Sequence, residues 1–191
     1  IDVSLVGSEM CIRDSLNWDQ QRVILATVHR RENWGERLHD IAAGMLQVLE
    51  RYPDTALLLP MHRNPTVREP LQALLGSHPR VVLTEPLDYD RLVAAMKGCS
   101  LLLTDSGGLQ EEAPALGKPV LVLRRTTERP EAVDAGTARL VGTDPDVILE
   151  ETSRLLGDAT AYQEMSRAVN PFGDGHASER ILERCRRKLG V

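Results

Sequence analysis

The stretch Leu103-Thr104-Asp105-Ser106-Gly107-Gly108-Leu109-Gln110-Glu111-Glu112-Ala113-Pro114, followed by Gly117-Lys118-Pro119 and a second apolar run from Val120 to Leu123, decides the reading of this chain. An apolar strand that ends in small polar residues and turns straight into a helix leaves the first helical N–H groups free at the positive end of the dipole. Such an end binds phosphate. Ser106 is a favoured N-cap residue, and glycine at 107 and 108 lets an anion approach the backbone without meeting a Cβ. Glu111 and Glu112 follow within two turns, where ionised carboxylates accept hydrogen bonds from ribose or sugar hydroxyls. The same residues also suit a plain strand-to-helix connection with two solvated acids behind it, and spacing alone does not separate the two readings.

Outward from this stretch, apolar runs alternate with helical patterns. Strands are predicted at Val23 to Val28, Ala56 to Leu59, Val81 to Leu83, Leu101 to Thr104, Val120 to Leu123 and Arg139 to Val141. Several are too apolar to face water on either side. Between them, Leu38, Ile41, Ala42, Met45, Leu46 and Leu49, and then Leu92, Val93 and Met96, recur at helical spacing. Apolar strands joined by helices predict an α/β fold, a Rossmann-like parallel sheet with helices on both faces. Asp144-Pro145 opens a further helix in cap-then-proline order, and the tail from Ala161 to Leu189 reads as helices interrupted at Asn170-Pro171-Phe172-Gly173-Asp174-Gly175.

Composition sets limits on function. At 191 residues, 42% hydrophobic and 27% charged, the chain has the make-up of one ordinary globular domain. A net charge of -5 and an aromatic content of 3% argue against nucleic acid, which needs basic surface and stacking platforms. Cys11, Cys99 and Cys185 form no C-x-x-C pair, so no disulfide framework or zinc site is expected and a reducing cytoplasm fits best. No apolar run approaches the ~20 residues of a membrane helix. Gly117-Lys118 is followed by Pro119, where a Walker A loop needs Ser or Thr, and is expected to be a helix-to-strand turn. Neither G-x-G-x-x-G after the first strand nor H-E-x-x-H occurs.

Ligands of open parallel sheets bind beyond the carboxyl ends of the strands. Four post-strand segments put histidine, arginine and carboxylate on that rim: His29-Arg30-Arg31-Glu32-Asn33, Pro60-Met61-His62-Arg63-Asn64-Pro65, the Ser-Gly-Gly turn, and Arg124-Arg125-Thr126-Thr127-Glu128-Arg129-Pro130. Their convergence suits an anionic, hydroxyl-rich ligand.

Together with Gly117 to Leu121 and Asn170 to Gly175, these blocks resemble the non-hydrolysing bacterial UDP-N-acetylglucosamine 2-epimerases over nearly everything after Asn17. The resemblance implies a glycosyltransferase-B-like enzyme of two Rossmann-like domains, with residues 16–191 supplying the carboxyl-terminal, UDP-binding one and the amino-terminal one absent. It implies an isomerase that eliminates UDP to leave a 2-acetamidoglucal and adds it back to give UDP-N-acetylmannosamine, with no redox cofactor and no metal. It also implies UDP and UDP-N-acetylglucosamine as ligands and a homodimer at full length. By position, His29 would be catalytic beside the diphosphate and sugar, Ser106, Gly107 and Gly108 would hold the phosphates, Glu112 the ribose, and Arg129 the anionic part of the nucleotide sugar. Arg30 and His62 match positions that help bind a second UDP-N-acetylglucosamine as allosteric activator. Leu87 and Leu92 replace the Gln and Phe that some members place beside the uracil.

The family's acid/base carboxylates come chiefly from the other domain, so the isolated chain is expected to be inactive or nearly so. Residues 1–15 resemble an adapter-derived leader and are expected to be non-native. A glycosyltransferase of the same architecture, a hydrolysing epimerase and a non-catalytic nucleotide-sugar-binding module are the alternative readings; the His-Arg-Arg-Glu and Asp-Ser-Gly-Gly blocks favour the epimerase.

Overall fold

The computed structural model describes residues 16, 18 and 20–190; the expected leader over 1–15 lies outside them. In chain order the elements are β1 (Arg22–Thr27), a short 3-10 turn (Arg31–Asn33), α1 (Glu36–Arg51), β2 (Thr55–Pro60), α2 (Pro65–Leu75), β3 (Val81–Thr84), α3 (Tyr89–Gly98) and β4 (Leu101–Thr104). There follow α4 (Gly107–Ala115), β5 (Val120–Val122), α5 (Pro130–Asp134), β6 (Ala138–Leu140), α6 (Pro145–Gly157), α7 (Ala159–Ser166) and α8 (Ala177–Leu189). All six predicted strands are present, with ends that move by no more than one residue.

The strands form one sheet in the order β3-β2-β1-β4-β5-β6, every neighbouring pair parallel. Parallel neighbours need crossovers, and the helices supply them on both faces. Alternation along each strand divides the core. Ile24, Ala26, Leu57, Leu59, Leu101, Leu103 and Leu121 point to the face covered by α1, α2 and α6. Val23, Leu25, Ala56, Leu58, Leu102, Val120 and Val122 point to the other, under α3 and α4. With both faces covered, the central strands are apolar along their middles and carry polar side chains only at their ends, Thr27 and Thr104 at the carboxyl ends among them, which is why they read as apolar runs.

Helix starts follow from local chemistry. The Asn64, Asp144 and Asp158 side chains each accept a backbone N–H from the first turn of the helix they precede. Gly117 adopts φ +66 after α4, so Gly117-Lys118-Pro119 is the expected helix-to-strand turn and no nucleotide loop. Gly44 lets α1 approach α6 closely, since a Cβ there would lie 3.0 Å from Ile148 Cβ and 3.1 Å from the Pro145 Cα. The tail breaks where expected: α8 stands apart after residues 167–176, and Ile181 and Leu182 are 62% and 56% exposed.

Two predictions follow from this packing. Gly44→Leu forces the α1–α6 backbones apart and lowers unfolding free energy by about 1–3 kcal/mol in urea titration. Cys99 is buried, and burial pushes its thiol up to about 12, whereas Cys185 is exposed. Peptide mapping after iodoacetamide at pH 8 therefore finds Cys185 alkylated and Cys99 spared until denaturant is added.

Candidate functional site

β1 and β4 are adjacent, but β1 leads toward β2 on one side and β4 toward β5 on the other, so a crevice opens between their carboxyl ends. Thr27 pairs with Thr104 at the last register position, their hydroxyls 2.6 Å apart. Thr104 Oγ1 also accepts the Ser106 N–H at 2.9 Å, which shapes the turn into α4. Ser106 occupies the N-cap position as expected, yet its hydroxyl does not cap the helix. The hydroxyl and the first-turn N–H groups are thus not consumed by each other.

A cavity of about 310 Å³ lies over this turn. Five residues expected from the sequence line it: His29, His62, Ser106, Gly108 and Glu112. Glu112 lines the cavity with its carboxylate, whose Oε2 is buried and accepts no hydrogen bond from the protein. Gly108 is exposed, and a Cβ there would make only ordinary contacts, 3.8 Å from Glu112 Oε1 and 4.0 Å from Ser106 Oγ. Nothing in the protein's own packing requires glycine at this position. The space it leaves belongs to the cavity. The opposite wall, Pro86, Leu87 and Leu92, is apolar.

Three expected residues sit differently. Gly107 is buried behind the cavity lining, and Arg30 Nη2 lies 3.6 Å from where its Cβ would be. A cation over a helix N-terminus is unfavourable unless an anion joins them. Arg30 also approaches Glu128 at 3.9 Å. Arg129 does not line the cavity; it is paired with Glu111, which turns that carboxylate away from it as well.

Sequence reasoning missed the supports of the site. Asp105 is completely buried and accepts N–H groups from His29 at 3.1 and 3.0 Å, Arg30 at 2.9 Å and Asn33 Nδ2 at 3.0 Å, with His29 Nδ1 at 2.9 Å. Burial pushes its carboxyl up, but the His29 ring and the Arg30 and His29 N–H groups outweigh burial and hold it below the ordinary value. Its signal in the sequence was its place between a central strand and Ser-Gly-Gly. Gln110 is likewise buried, accepting the Thr127 hydroxyl at 2.6 Å, while Thr127 in turn accepts the Arg129 N–H at 3.0 Å. Arg124 is buried between Glu32 and Glu128 and draws Glu128 down to about 2. The ties from Asp105 to the loop after β1, from Arg124 to Glu32 and from Thr127 to Gln110 join positions far apart in sequence and have no local signature.

Among the described residues no helix is long and apolar enough to cross a membrane. The profile of the family described as UDP-N-acetylglucosamine 2-epimerase matches residues 3–186. The chain is 53% identical over 163 residues to UDP-N-acetylglucosamine 2-epimerase of Escherichia coli K12, covering 85% of this chain and 43% of the relative. It thus spans less than half the length of such relatives. Among solved structures it is similar to the UDP-GlcNAc 2-epimerase from Neisseria meningitidis bound to UDP-GlcNAc, with 47% identity, TM-score 0.83 and coverage of 88% of this chain and 46% of that one. The Methanocaldococcus jannaschii enzyme in complex with UDP-GlcNAc and UDP matches at 32% identity and TM-score 0.75, covering 93% and 48%. The C-terminal domain of a Francisella tularensis group 1 glycosyl transferase matches at TM-score 0.62 and 14% identity, a likeness of fold alone. By the match over almost its whole length, and by identity to such relatives, this chain belongs to the UDP-N-acetylglucosamine 2-epimerase family.

Proposed function

We propose that this chain is the UDP-binding part of an enzyme that interconverts UDP-N-acetylglucosamine and UDP-N-acetylmannosamine. The observation that carries the reading is the cradle itself. Helix N–H groups without a side-chain cap, an open glycine and the Glu112 carboxylate meet at one cavity at the switch point of the sheet. The positive end of α4 suits a diphosphate, and Glu112 suits ribose hydroxyls.

In the proposed reaction the C2 proton and the C1–O bond to UDP are lost, leaving 2-acetamidoglucal and UDP. UDP then re-forms the C1–O bond as a proton returns to the opposite face of C2. Negative charge grows on the diphosphate as it leaves, so fixed N–H donors and nearby cations lower the barrier. Ser106, Gly107 and Gly108 supply the donors. Arg30 lies over the same helix end, and Arg129, 37% exposed in its pair with Glu111, exchanges a carboxylate for phosphate at little cost. His29 faces the reacting part of the ligand. Arg30 and His62 also contact a second nucleotide sugar that acts as activator. The C2 acid and base belong to the part of the relatives' length that this chain does not match. The whole protein works as a homodimer in the cytoplasm, where nucleotide sugars are made for cell-surface polysaccharide.

Calorimetric titration with UDP tests the cradle. Ser106→Tyr fills the space over the helix end and abolishes binding. Gly108→Ala places a methyl in the cavity and weakens UDP at least roughly tenfold, about 1.4 kcal/mol. The same change keeps or raises thermal stability, because alanine is favoured over glycine in a helix by about 1 kcal/mol. Undiminished UDP binding by both folded variants rejects the cradle. The chain by itself interconverts the two UDP sugars at least roughly 10²-fold more slowly than a full-length relative, for want of positioned acid and base groups. Ordinary turnover by the purified chain contradicts this assignment.

A further inference from the structure

We propose that Asp105 is a positioning residue that holds the proton of His29 on Nδ1 and so leaves Nε2 as the acceptor available to the cavity. The inference rests on the reading above for the role of His29, and on geometry alone for the role of Asp105.

Asp105 has no exposure to solvent, so its hydrogen bonds must all come from protein. Its Oδ2 accepts from the His29 N–H at 3.0 Å, the Arg30 N–H at 2.9 Å and Asn33 Nδ2 at 3.0 Å. Its Oδ1 accepts from the His29 N–H at 3.1 Å and faces His29 Nδ1 at 2.9 Å. Backbone amides and the Asn33 amide nitrogen donate and cannot accept. A protonated Asp105 therefore has a single neighbour to donate to, His29 Nδ1. Against that arrangement stand the backbone and Asn33 N–H groups, which favour the charged carboxylate. The proton between the two residues thus resides on Nδ1, and the lone pair of the neutral ring is on Nε2.

The second imidazole of the cavity is set the other way. Asn64 N–H donates to His62 Nδ1 at 3.1 Å, so neutral His62 carries its proton on Nε2. The two rings lie 6.3 Å apart and nearly parallel at 19°. One cavity thereby offers a ring acceptor on the sheet's central crevice and a ring donor across from it. His62 also serves as an internal control, because its tautomer owes nothing to Asp105.

Replacement by asparagine has a predictable orientation. The amide oxygen takes the Oδ2 place, where the His29, Arg30 and Asn33 donors converge, and the NH₂ takes the Oδ1 place, facing His29 Nδ1. A donor there forces Nδ1 to accept and moves the ring proton to Nε2. The amide replacement of a triad aspartate inverts a histidine in the same way.

Long-range ¹H–¹⁵N spectra of the labelled chain, recorded where both rings are neutral and assigned with His29→Gln and His62→Gln, read the tautomers directly. The wild-type protein shows His29 as Nδ1–H and His62 as Nε2–H; Asp105→Asn shows His29 as Nε2–H with His62 unchanged. Asn33→Ala, which removes a donor from the same carboxylate, costs stability but leaves His29 as Nδ1–H. Neutral His29 found as Nε2–H in the wild-type protein overturns the proposal without any variant, and Nδ1–H persisting in folded Asp105→Asn overturns it too. Lack of UDP binding by the wild-type chain rejects the reading of the site and leaves the tautomer result to stand or fall by itself.

Discussion

The carboxylate of Asp105 is the constraint on which the rest of the site depends. It is buried at the point where β1 and β4 end side by side and their connections part. Its acceptor capacity is spent on the loop that follows β1, through His29, Arg30 and Asn33. Asn33 continues the tie to the Leu123 carbonyl at 3.0 Å, beyond β5. Residues from three neighbouring strand ends are thereby held to one atom group. Without it, the backbone N–H groups of His29 and Arg30 would lose their acceptor, and the loop would be left with its ties through Asn33 to Leu123 and Glu32 to Arg124. With it, the histidine is aimed into the crevice and Arg30 is laid over the α4 end.

The fold was legible in the sequence because burial on both faces leaves little choice of residue. Leu101 to Thr104 and Val120 to Val122 have no solvent side, so periodicity did not need to be read; length and flanking turns sufficed. Ends were less legible. Leu123 lies one residue past β5, yet its N–H still donates to the Thr104 carbonyl at 2.9 Å, so apolar character persists where regular pairing has ceased. The exposure of Ile181 and Leu182 in α8 was also foreseeable, since an amphipathic helix cannot bury its stripe without a surface to meet it.

The site was legible where its chemistry is local. Ser106, Gly108 and Glu112 stand within the first two turns of one helix, and His29 and His62 each lie two residues past a strand end. Arg129 was not. Its partner Glu111 lies 18 residues away, and Gln110 and Thr127, which set the backbone of its loop, are joined only by the fold. Asp105 was visible as a residue but not as a hub, because the acceptor role of a carboxylate depends on donors that lie 72 to 76 residues earlier. Spacing in sequence carries no information about such pairs.

Membership of the UDP-N-acetylglucosamine 2-epimerase family and the geometry of the crevice therefore meet on one claim, that the amino end of α4 holds the diphosphate of a uridine nucleotide. Amide chemical-shift mapping during UDP titration of the ¹⁵N-labelled chain tests it most directly. The account predicts saturable shifts concentrated at Ser106, Gly107, Gly108 and Glu112, with the strand-end residue His29 following and α8 still. Shifts confined to other surfaces, with the 106–108 amides unmoved at saturation, would contradict it.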